Sequence, residues 1–368
     1  MCVKKLLICF AVVFLLLTGT ACNRRHEEVI IDDDENQQEI QPDSEKKEEK
    51  EPDDPKPSGK GDPFSGIVLN VIGEGQIISY ASEDYYRYGP SIMEYEDGSY
   101  DAWFSSPGNS GSQWDWITYR HSDDGENWSY EEVVLKPTPG GRDQCSVCDP
   151  GLIYFDGYYY MGYTGTDYYE GKGSCNSAFV ARSLYPDGPY EKWNGEGWGG
   201  YPEPIIEYTG DPGGWGIGEI SFVIYDGDLC IYYTYYDLTG GYINLSKANL
   251  TEDWPSTMRF KNMVLVREHQ DSLDVAYDVK TGYFFGFSIN QRMSEKSRLI
   301  MYGSLNGKEE FVKIDSNKDY IEDYAHNMGI AKSPEGYINT DEELLIGYAY
   351  GEKWGRWNTR FQHIRIDD

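Results

Sequence analysis

The sequence predicts an all-β fold, a five-bladed β-propeller, from three observations. A unit of an apolar run, a short turn and an aromatic run recurs at intervals of about fifty to seventy residues, as propeller blades do. The 33 Tyr and 10 Trp favour strands. Long helical patterns are absent. The copies of the unit are residues 89–106, 148–165, 218–235, 273–289 and 326–350.

The clearest copy is residues 148–165, which read CDPGLIYFDGYYYMGYTG. An acid and a proline open it, and a short apolar run, 152–155, follows. Asp156-Gly157 then separates this run from the aromatic residues 158–163. Because a type I′ turn needs φ > 0 at both central positions, Asp-Gly between two β-rich runs predicts a hairpin.

Residues 1–22 have the features of a lipoprotein signal peptide. Two lysines form a positive n-region, residues 6–17 form an apolar h-region, and small residues precede Cys22. This end resembles a bacterial lipobox, with Gly at one position where Leu is usual. The sequence therefore predicts lipidation at Cys22 and an extracytoplasmic protein anchored to the bacterial cell membrane. An ordinary secretory signal, cut near Ala21, is the alternative.

Residues 23–62 have the composition of a disordered acidic tether. They hold fifteen Asp plus Glu against seven Lys plus Arg, a net of −8, with four prolines and no aromatic residue. Such a segment cannot bury enough apolar surface to order itself, and charge repulsion extends it. The propeller domain is therefore expected over residues 63–368.

The charge of the chain excludes some partners. Its 63 Asp plus Glu against 32 Lys plus Arg give a net of −31 at pH 7. Nucleic-acid binding needs a basic footprint, and anionic lipid surfaces attract basic segments. We therefore expect no nucleic-acid partner, and attachment to a membrane only through the lipid at Cys22.

Four cysteines remain beyond Cys22, namely Cys145, Cys148, Cys175 and Cys230. The Cys-x-x-Cys spacing of the first two suggests zinc only when a second ligand pair follows at a suitable spacing, and none does. Outside the cytoplasm a disulfide is permitted. Two alternatives stay open: Cys145 or Cys148 bonded to Cys175, or buried thiols.

The residues that open the repeats are candidates for a site. In a propeller the innermost strands converge at one end of the central channel, so these residues meet although they are distant in sequence. Several carboxylates and a His in one funnel form an ionisable cluster of the kind that functional sites use. The opening residues are Gly89, Asp149, Glu219, Asp271 or Asp274, and His326.

These motifs resemble the five-bladed glycoside hydrolases of family 43 and its relatives, including family 32. In those families the first three blades supply a general base, an Asp that tunes the pKa of the acid, and a general acid. Asp149 matches the second and Glu219, in GEISFVIYDGDLCIYYTY, matches the third. His326 in AHNMGI matches a His near the pocket floor. The resemblance implies hydrolysis of O-glycosidic bonds in arabinose-, xylose- or galactose-type poly- or oligosaccharides, with inversion.

The first repeat departs from this pattern. It opens Tyr-Gly-Pro-Ser where the family has Asp-Pro-Ser, so Gly89 stands at the place of the general base. Asp84 and Asp115 are the candidate replacements. Alternatively, the chemistry differs within the superfamily, or the site binds sugar without cleaving it.

Other side chains are candidates for holding a sugar. A guanidinium is a planar fork of donors, and aromatic rings stack on the apolar faces of sugars. The substrate-binding candidates are Arg87, Tyr88, Trp114, Trp116, Trp215 and His326. No cofactor is predicted, although the resemblance allows a structural calcium or sodium ion in the central channel near His326.

Two functions other than hydrolysis remain open. A sugar-binding surface lipoprotein that has lost catalysis is consistent with Gly89. A scaffold for protein binding predicts a channel mouth without clustered carboxylates. The acids around Glu219 separate these functions, because glycoside hydrolysis needs two carboxyl groups about 5–10 Å apart.

Overall fold

Strands dominate this computed structural model, which describes residues 63–80, 85–109, 111–169, 173–211, 213–267, 272–314 and 321–367. These residues form 21 β-strands and one 3₁₀ helix, Trp254–Thr257, so the prediction of an all-β fold is confirmed. They belong to one compact unit, residues 60–368. The predicted signal peptide, Cys22 and the tether lie outside the described residues. Within the described ranges, no helix is long and apolar enough to span a bilayer.

The described strands form five antiparallel meanders of four strands each. One meander joins both ends of the described chain: β1 (Val68–Ser79), β18 (Ala325–Lys332), β20 (Leu344–Tyr350) and β21 (Asn358–Asp367). The first meander along the chain comprises β2 (Tyr88–Glu94), β3 (Tyr100–Pro107), β4 (Asp115–Ser122) and β5 (Glu132–Leu135). The second comprises β6 (Ser146–Phe155), β7 (Tyr158–Tyr169), β8 (Gly173–Ser183) and β9 (Glu191–Lys192).

The third meander comprises β10 (Gly216–Tyr225), β11 (Asp228–Asp237), β12 (Gly240–Asn249) and β13 (Arg259–Arg267). The fourth comprises β14 (Asp274–Asp278), β15 (Phe284–Asn290), β16 (Arg298–Ser304) and β17 (Val312–Ile314). A short strand from the connection between β18 and β20, β19 (Tyr337–Ile338), pairs in parallel with β14. The meanders therefore follow one another in chain order, and the fifth is completed by β1.

The predicted Asp-Gly turns join the first two strands of the second and third meanders. Asp156 and Gly157 have φ of 51° and 80°, and Asp226 and Gly227 have φ of 54° and 76°. Positive φ at both central positions is the type I′ geometry that matches the twist of the flanking strands. The hairpins predicted in these two repeats are thus confirmed.

The first strands of the meanders, β2, β6, β10, β14 and β18, are called the inner strands here. Each contacts the next in chain order, and β18 returns to contact β2, so the contacts form a cycle. Backbone hydrogen bonds, in contrast, are divided among three open sheets. Large aromatic side chains, which bury much apolar surface per residue, pack together with aliphatic ones between neighbouring meanders. Between the second and third meanders these include Tyr160, Phe222 and Trp254.

The cysteines outside the N-terminal segment are thiols. Cys145, Cys148 and Cys230 are buried, and Cys175 is half-buried. Of the two alternatives left open by the sequence, the structure has the thiols and not the disulfide.

Candidate active site

Four of the inner strands carry the same irregularity near their first residues. Register shifts interrupt the pairing of β2, β6, β10 and β18 with the next strand of their meander. At each shift one residue has a positive φ, between 42° and 57°. These residues are Gly89, Asp149, Glu219 and Asn327. Because a bulge re-aims a side chain out of the regular strand alternation, the side chains of the last three are turned into a common space.

That space is a cavity of about 40 Å³ at the beginning of the inner strands, called the funnel here. Residues from all five inner strands line it. The polar and ionisable ones are Ser91, Asp149, Glu219, Ser221, Ser272, Asp274 and Asn327. Of the residues predicted to open the repeats, the structure thus brings together Gly89, Asp149, Glu219 and Asp274, whereas Asp271 lies outside the described residues.

Asp149 lies in the funnel directly beside Gly89. A Cβ atom placed on Gly89 would be 3.2 Å from Asp149 Oδ1, so the carboxyl group covers the position that has no side chain. The Cys148 thiol donates to Asp149 Oδ2 over 3.4 Å, and the Thr164 hydroxyl also hydrogen-bonds this carboxyl. Burial and the negative charge of Glu219 raise the pKa of Asp149 to about 8. At neutral pH the carboxyl pair of Asp149 and Glu219 therefore holds at least one proton.

Glu219 is the second member of this pair. Its backbone N–H donates to Thr164 Oγ1 over 3.0 Å, so one hydroxyl links the Glu219 backbone to the Asp149 carboxyl. The Asn327 side-chain amide donates to Glu219 Oε1 over 3.3 Å. Two carboxyl groups that repel each other in a buried space share their protons, so they titrate as a unit.

Asn327 occupies the position in the funnel that the sequence suggests for His326. The register shift in β18 lies between His326 and Met328, and it is Asn327 that lines the funnel. His326 is buried, and its ring centre is 4.6 Å from that of Trp357. Sequence reasoning missed Asn327 because a bulge changes which side chain faces the channel, and no local signal in AHNMGI marks it.

Asp115, one of the two candidate replacements for the base, is not part of the funnel lining. Asp115, at the start of β4, accepts hydrogen bonds from Tyr86 Oη over 2.6 Å and from Ser146 Oγ over 2.7 Å. Burial raises the pKa of Asp115 above its ordinary value. Asp115 is close enough to interact with Asp149 electrostatically, yet it is not among the residues that line the funnel. Asp84 lies outside the described residues.

Arg87 is held by an ion pair. Its guanidinium is buried, binds Glu131, and lies 4.1 Å from the centre of the Tyr85 ring. The carboxylate of Glu131 also faces Arg120 at 3.7 Å. The donors of Arg87 therefore serve the packing of the first meander in this structure.

The predicted aromatic residues are not among those that line the funnel. Trp114 is exposed, Trp215 is half-buried, and Lys136 Nζ lies 4.3 Å from the centre of the Trp116 ring. Tyr88 packs against Trp357, with ring centres 5.3 Å apart.

Sequence reasoning missed a second aromatic group, which lies in the loop between β20 and β21. Exposed Trp354 packs edge-on against buried Trp357, with ring centres 4.9 Å apart. Trp357 in turn contacts Tyr86, Tyr88 and His326. The only sequence signal is a Trp pair in the stretch WGRW, which follows the last repeat.

Known structures share this fold. The chain superposes on Zg3597, a family 117 glycoside hydrolase of the marine bacterium Zobellia galactanivorans, with a TM-score of 0.58, 15% identity, and coverage of 83% of this chain and 92% of that one. The α-L-arabinofuranosidase PaAbf62A of Podospora anserina gives a TM-score of 0.57, 10% identity, and coverage of 82% and 97%. An endo-arabinase of Bacteroides thetaiotaomicron gives a TM-score of 0.55 and 16% identity, with coverage of 79% of this chain and 98% of that one.

At these low identities the likeness concerns the fold alone. No protein-family model matches the chain, and no curated protein matches it. The chain therefore has the propeller-like fold of glycoside hydrolases, and the chemistry of its site has to be argued from its own residues.

Replacement of Asp149 by Asn should stabilise the protein at alkaline pH. The pKa of Asp149 is raised from 3.8 to about 8, so the folded state binds this proton more tightly than the unfolded chain does. Stability from that proton is complete below pH about 4 and is lost progressively as the pH rises from about 4 to about 8. Since Asn stays neutral, we expect the Tm of Asp149→Asn to exceed that of the parent by a few degrees at pH about 9.

Thermal unfolding from pH 4 to 9 measures this effect. Glu196→Gln is the control, because Glu196 is exposed and the same change of charge there should leave the Tm unchanged at every pH. A lower Tm for Asp149→Asn at pH 9 would contradict the burial of a repelled carboxylate.

Proposed function

We propose that the protein is a glycoside hydrolase that cleaves O-glycosidic bonds in poly- or oligosaccharides of arabinose, xylose or galactose units. The observation that carries the proposal is the meeting of Asp149 and Glu219, which are distant in sequence, in one funnel where their charges interact. The five meanders are interpreted as the blades of a five-bladed propeller of the family 43 type. An arabinofuranosidase and an endo-arabinase among the structures of like fold support this class of substrate.

The pair supplies the two functions that glycoside hydrolysis needs. One carboxylic acid has to protonate the departing oxygen, and one carboxylate has to take a proton from the attacking water. Glu219 is assigned as the acid, with Asn327 orienting its carboxyl group. Its partner Asp149 ensures that the pair holds one proton below pH about 8. Water attack from the face opposite the leaving group gives inversion at the anomeric carbon.

The base role falls to Asp149 in this assignment. Gly89 has no side chain, and Asp149 Oδ1 lies 3.2 Å from the point where a Cβ on Gly89 would stand. Asp115, the other described candidate, is engaged by Tyr86 and Ser146 beside the funnel. In the productive form the proton of the pair is on Glu219 and the charge is on Asp149. After turnover Asp149 holds the proton taken from water and Glu219 carries the charge, so transfer of this proton from Asp149 to Glu219 restores the productive form.

The charges around the funnel favour a neutral sugar over a uronic acid. A carboxylated substrate would need a cation to offset its repulsion from the pair. The Arg87 guanidinium is bound to Glu131, and the Lys332 ammonium is 2.6 Å from Asp274 Oδ1. Arg87 and Lys332 thus already have anionic partners.

A non-catalytic sugar-binding lipoprotein is the second candidate function, and Gly89 favours it. It predicts binding without turnover for the parent protein. The hydrolase predicts turnover that depends on both members of the pair.

Glu219→Gln should lower kcat by about a thousandfold or more, because a positioned acid contributes about 10²–10⁴-fold. Asp149→Asn should cause a similar loss, and Asp115→Asn should change kcat less than about tenfold. Release of sugar is measured on neutral arabinosides, xylosides and galactosides and on matched uronides, with binding followed by calorimetry. Unaltered turnover in Glu219→Gln, or no cleavage of any substrate by the parent, would contradict the proposal. An Asp115→Asn loss equal to that of Glu219→Gln would move the base to Asp115.

The pH dependence of the parent should have its alkaline limb at about 8. Above this pH the pair loses its remaining proton, so no acid is left to protonate the leaving group. We expect kcat/KM to fall tenfold per pH unit beyond the limb, measured over a range in which the folded protein is stable. An unchanged kcat/KM at pH 10 would exclude the pair as the source of the proton.

We also propose that the protein is extracytoplasmic and held at the bacterial cell membrane by a lipid on Cys22, with residues 23–62 as the tether. The lipobox-like end of the signal segment and the acidic composition of the tether support this location. Cys22→Ser should move the protein from the membrane fraction to the soluble extracytoplasmic fraction. A variant that stays in the membrane fraction would contradict the anchor.

A further inference from the structure

A buried lysine contacts two of the residues that line the funnel, Ser221 and Asp274. Lys332 is the last residue of β18, and only 5% of its surface is exposed. Its Nζ lies 2.6 Å from Asp274 Oδ1, 3.1 Å from Ser221 Oγ and 3.1 Å from the carbonyl oxygen of Val275. Ser221 belongs to β10, which is not a neighbour of β18 in the cycle of inner strands. The ammonium group therefore lies inside the ring.

This ammonium group is fully coordinated. Its three N–H bonds match the three oxygen atoms, one of them from a carboxylate. The same oxygens are joined to one another, since Ser221 Oγ donates to Asp274 Oδ1 over 2.7 Å and accepts from the Val275 N–H over 2.9 Å. Asp274 Oδ2 accepts from the Ile330 N–H over 2.9 Å. The cluster links the third, fourth and fifth meanders.

The cluster lies where backbone pairing is interrupted. Among the described strands, β14 pairs through its backbone with β15 and β19, but with neither of its inner neighbours, β10 and β18. Side chains of the cluster make the link across both of these gaps. The Lys332 ammonium therefore lies between inner strands that no backbone hydrogen bonds connect.

A metal ion does not fit this position beside Lys332. A calcium ion needs six to eight oxygen ligands, and the ammonium group already uses the three oxygens present here. The positive charge of the ammonium group would also repel a calcium or a sodium ion. The described residues also contain no group of three or more His, Cys, Asp or Glu side chains that could hold a metal. A calcium or sodium ion at this position is therefore at odds with the residues around Lys332.

We propose that the Lys332 ammonium is a built-in cation of the channel, which holds the oxygens of three meanders together in place of a bound metal ion. A carboxylate, a hydroxyl and a carbonyl oxygen around one point are ligands that small hard cations prefer. Removal of the lysine side chain leaves these ligands around an unfilled polar space, and such a space binds water or a cation. The proposal does not depend on the proposed enzymatic activity.

The test compares the thermal unfolding of the full chain with that of Lys332→Ala and Lys332→Met, with EDTA, and with calcium, sodium or methylammonium added. We expect the Tm of the parent to change by less than about 1 °C among these conditions. Lys332→Ala should lose several degrees and regain at least half of that loss with one of the cations. Lys332→Met should lose stability without any recovery, because its side chain fills the space.

Lys247→Ala is the matched control. Lys247 is also buried and forms an ion pair, with Asp228 at 2.9 Å, but it joins the second and third strands of one meander and not the inner strands. Its loss of stability should not be reversed by any of the cations. If the added cations restored the Tm of Lys247→Ala as much as that of Lys332→Ala, the recovery would reflect general ionic screening, and the proposal would be overturned.

Two measurements keep the proposal open to refutation if Lys332→Ala does not fold. Elemental analysis of the parent protein should find less than about 0.1 calcium per chain after gel filtration, since the Lys332 ammonium already uses the oxygens of the cluster. The double variant Lys332→Met/Asp274→Asn should be more stable than Lys332→Met, because it removes the unpaired buried carboxylate. One calcium per parent chain, a parent Tm that falls in EDTA, or a double variant less stable than the single one would overturn it.

Discussion

The left-handed backbone at the start of the inner strands is the constraint on which the site depends. Asp149, Glu219 and Asn327 have φ of 49°, 52° and 42°. For residues other than glycine this conformation costs about 1–3 kcal/mol each, so it persists only where the surrounding structure enforces it. Cyclic contact among the inner strands and aromatic packing between meanders do so here. Without the bulges, the strict alternation of a strand would turn these side chains to other faces.

Electrostatics then distinguishes the acids that the ring brings together. Asp274 has a counterion in the Lys332 ammonium and belongs to the hydrogen-bonded cluster that links the third, fourth and fifth meanders. Asp149 has no such partner among the described residues, and burial together with the charge of Glu219 raises the pKa of Asp149. Acid–base chemistry needs a carboxyl group of this second kind. The Lys332 ammonium thus distinguishes Asp274 from Asp149, although both carboxyl groups line the funnel.

Local features of the sequence predicted local features of the structure well. The Asp-Gly turns appear where expected, since the conformation of two residues depends mainly on those residues. Features that depend on distant partners were not predictable in this way. Arg87 was a candidate for binding sugar, but Glu131 lies beside it and binds it. Trp357 joins Tyr88 although 269 positions separate them in the printed sequence (357 − 88 = 269).

By itself, the sequence determined the all-β class, the repeated unit, the acids that open the repeats and the absence of a side chain at Gly89. These properties are set by residue identity, turn chemistry and spacing along the chain. Only the tertiary structure decided that Asn327 and not His326 lines the funnel, that Asp149 covers Gly89, and that Lys332 neutralises Asp274. Bulge positions and charge pairs arise when the inner strands come into contact, and the distances across the ring are not encoded in any local pattern.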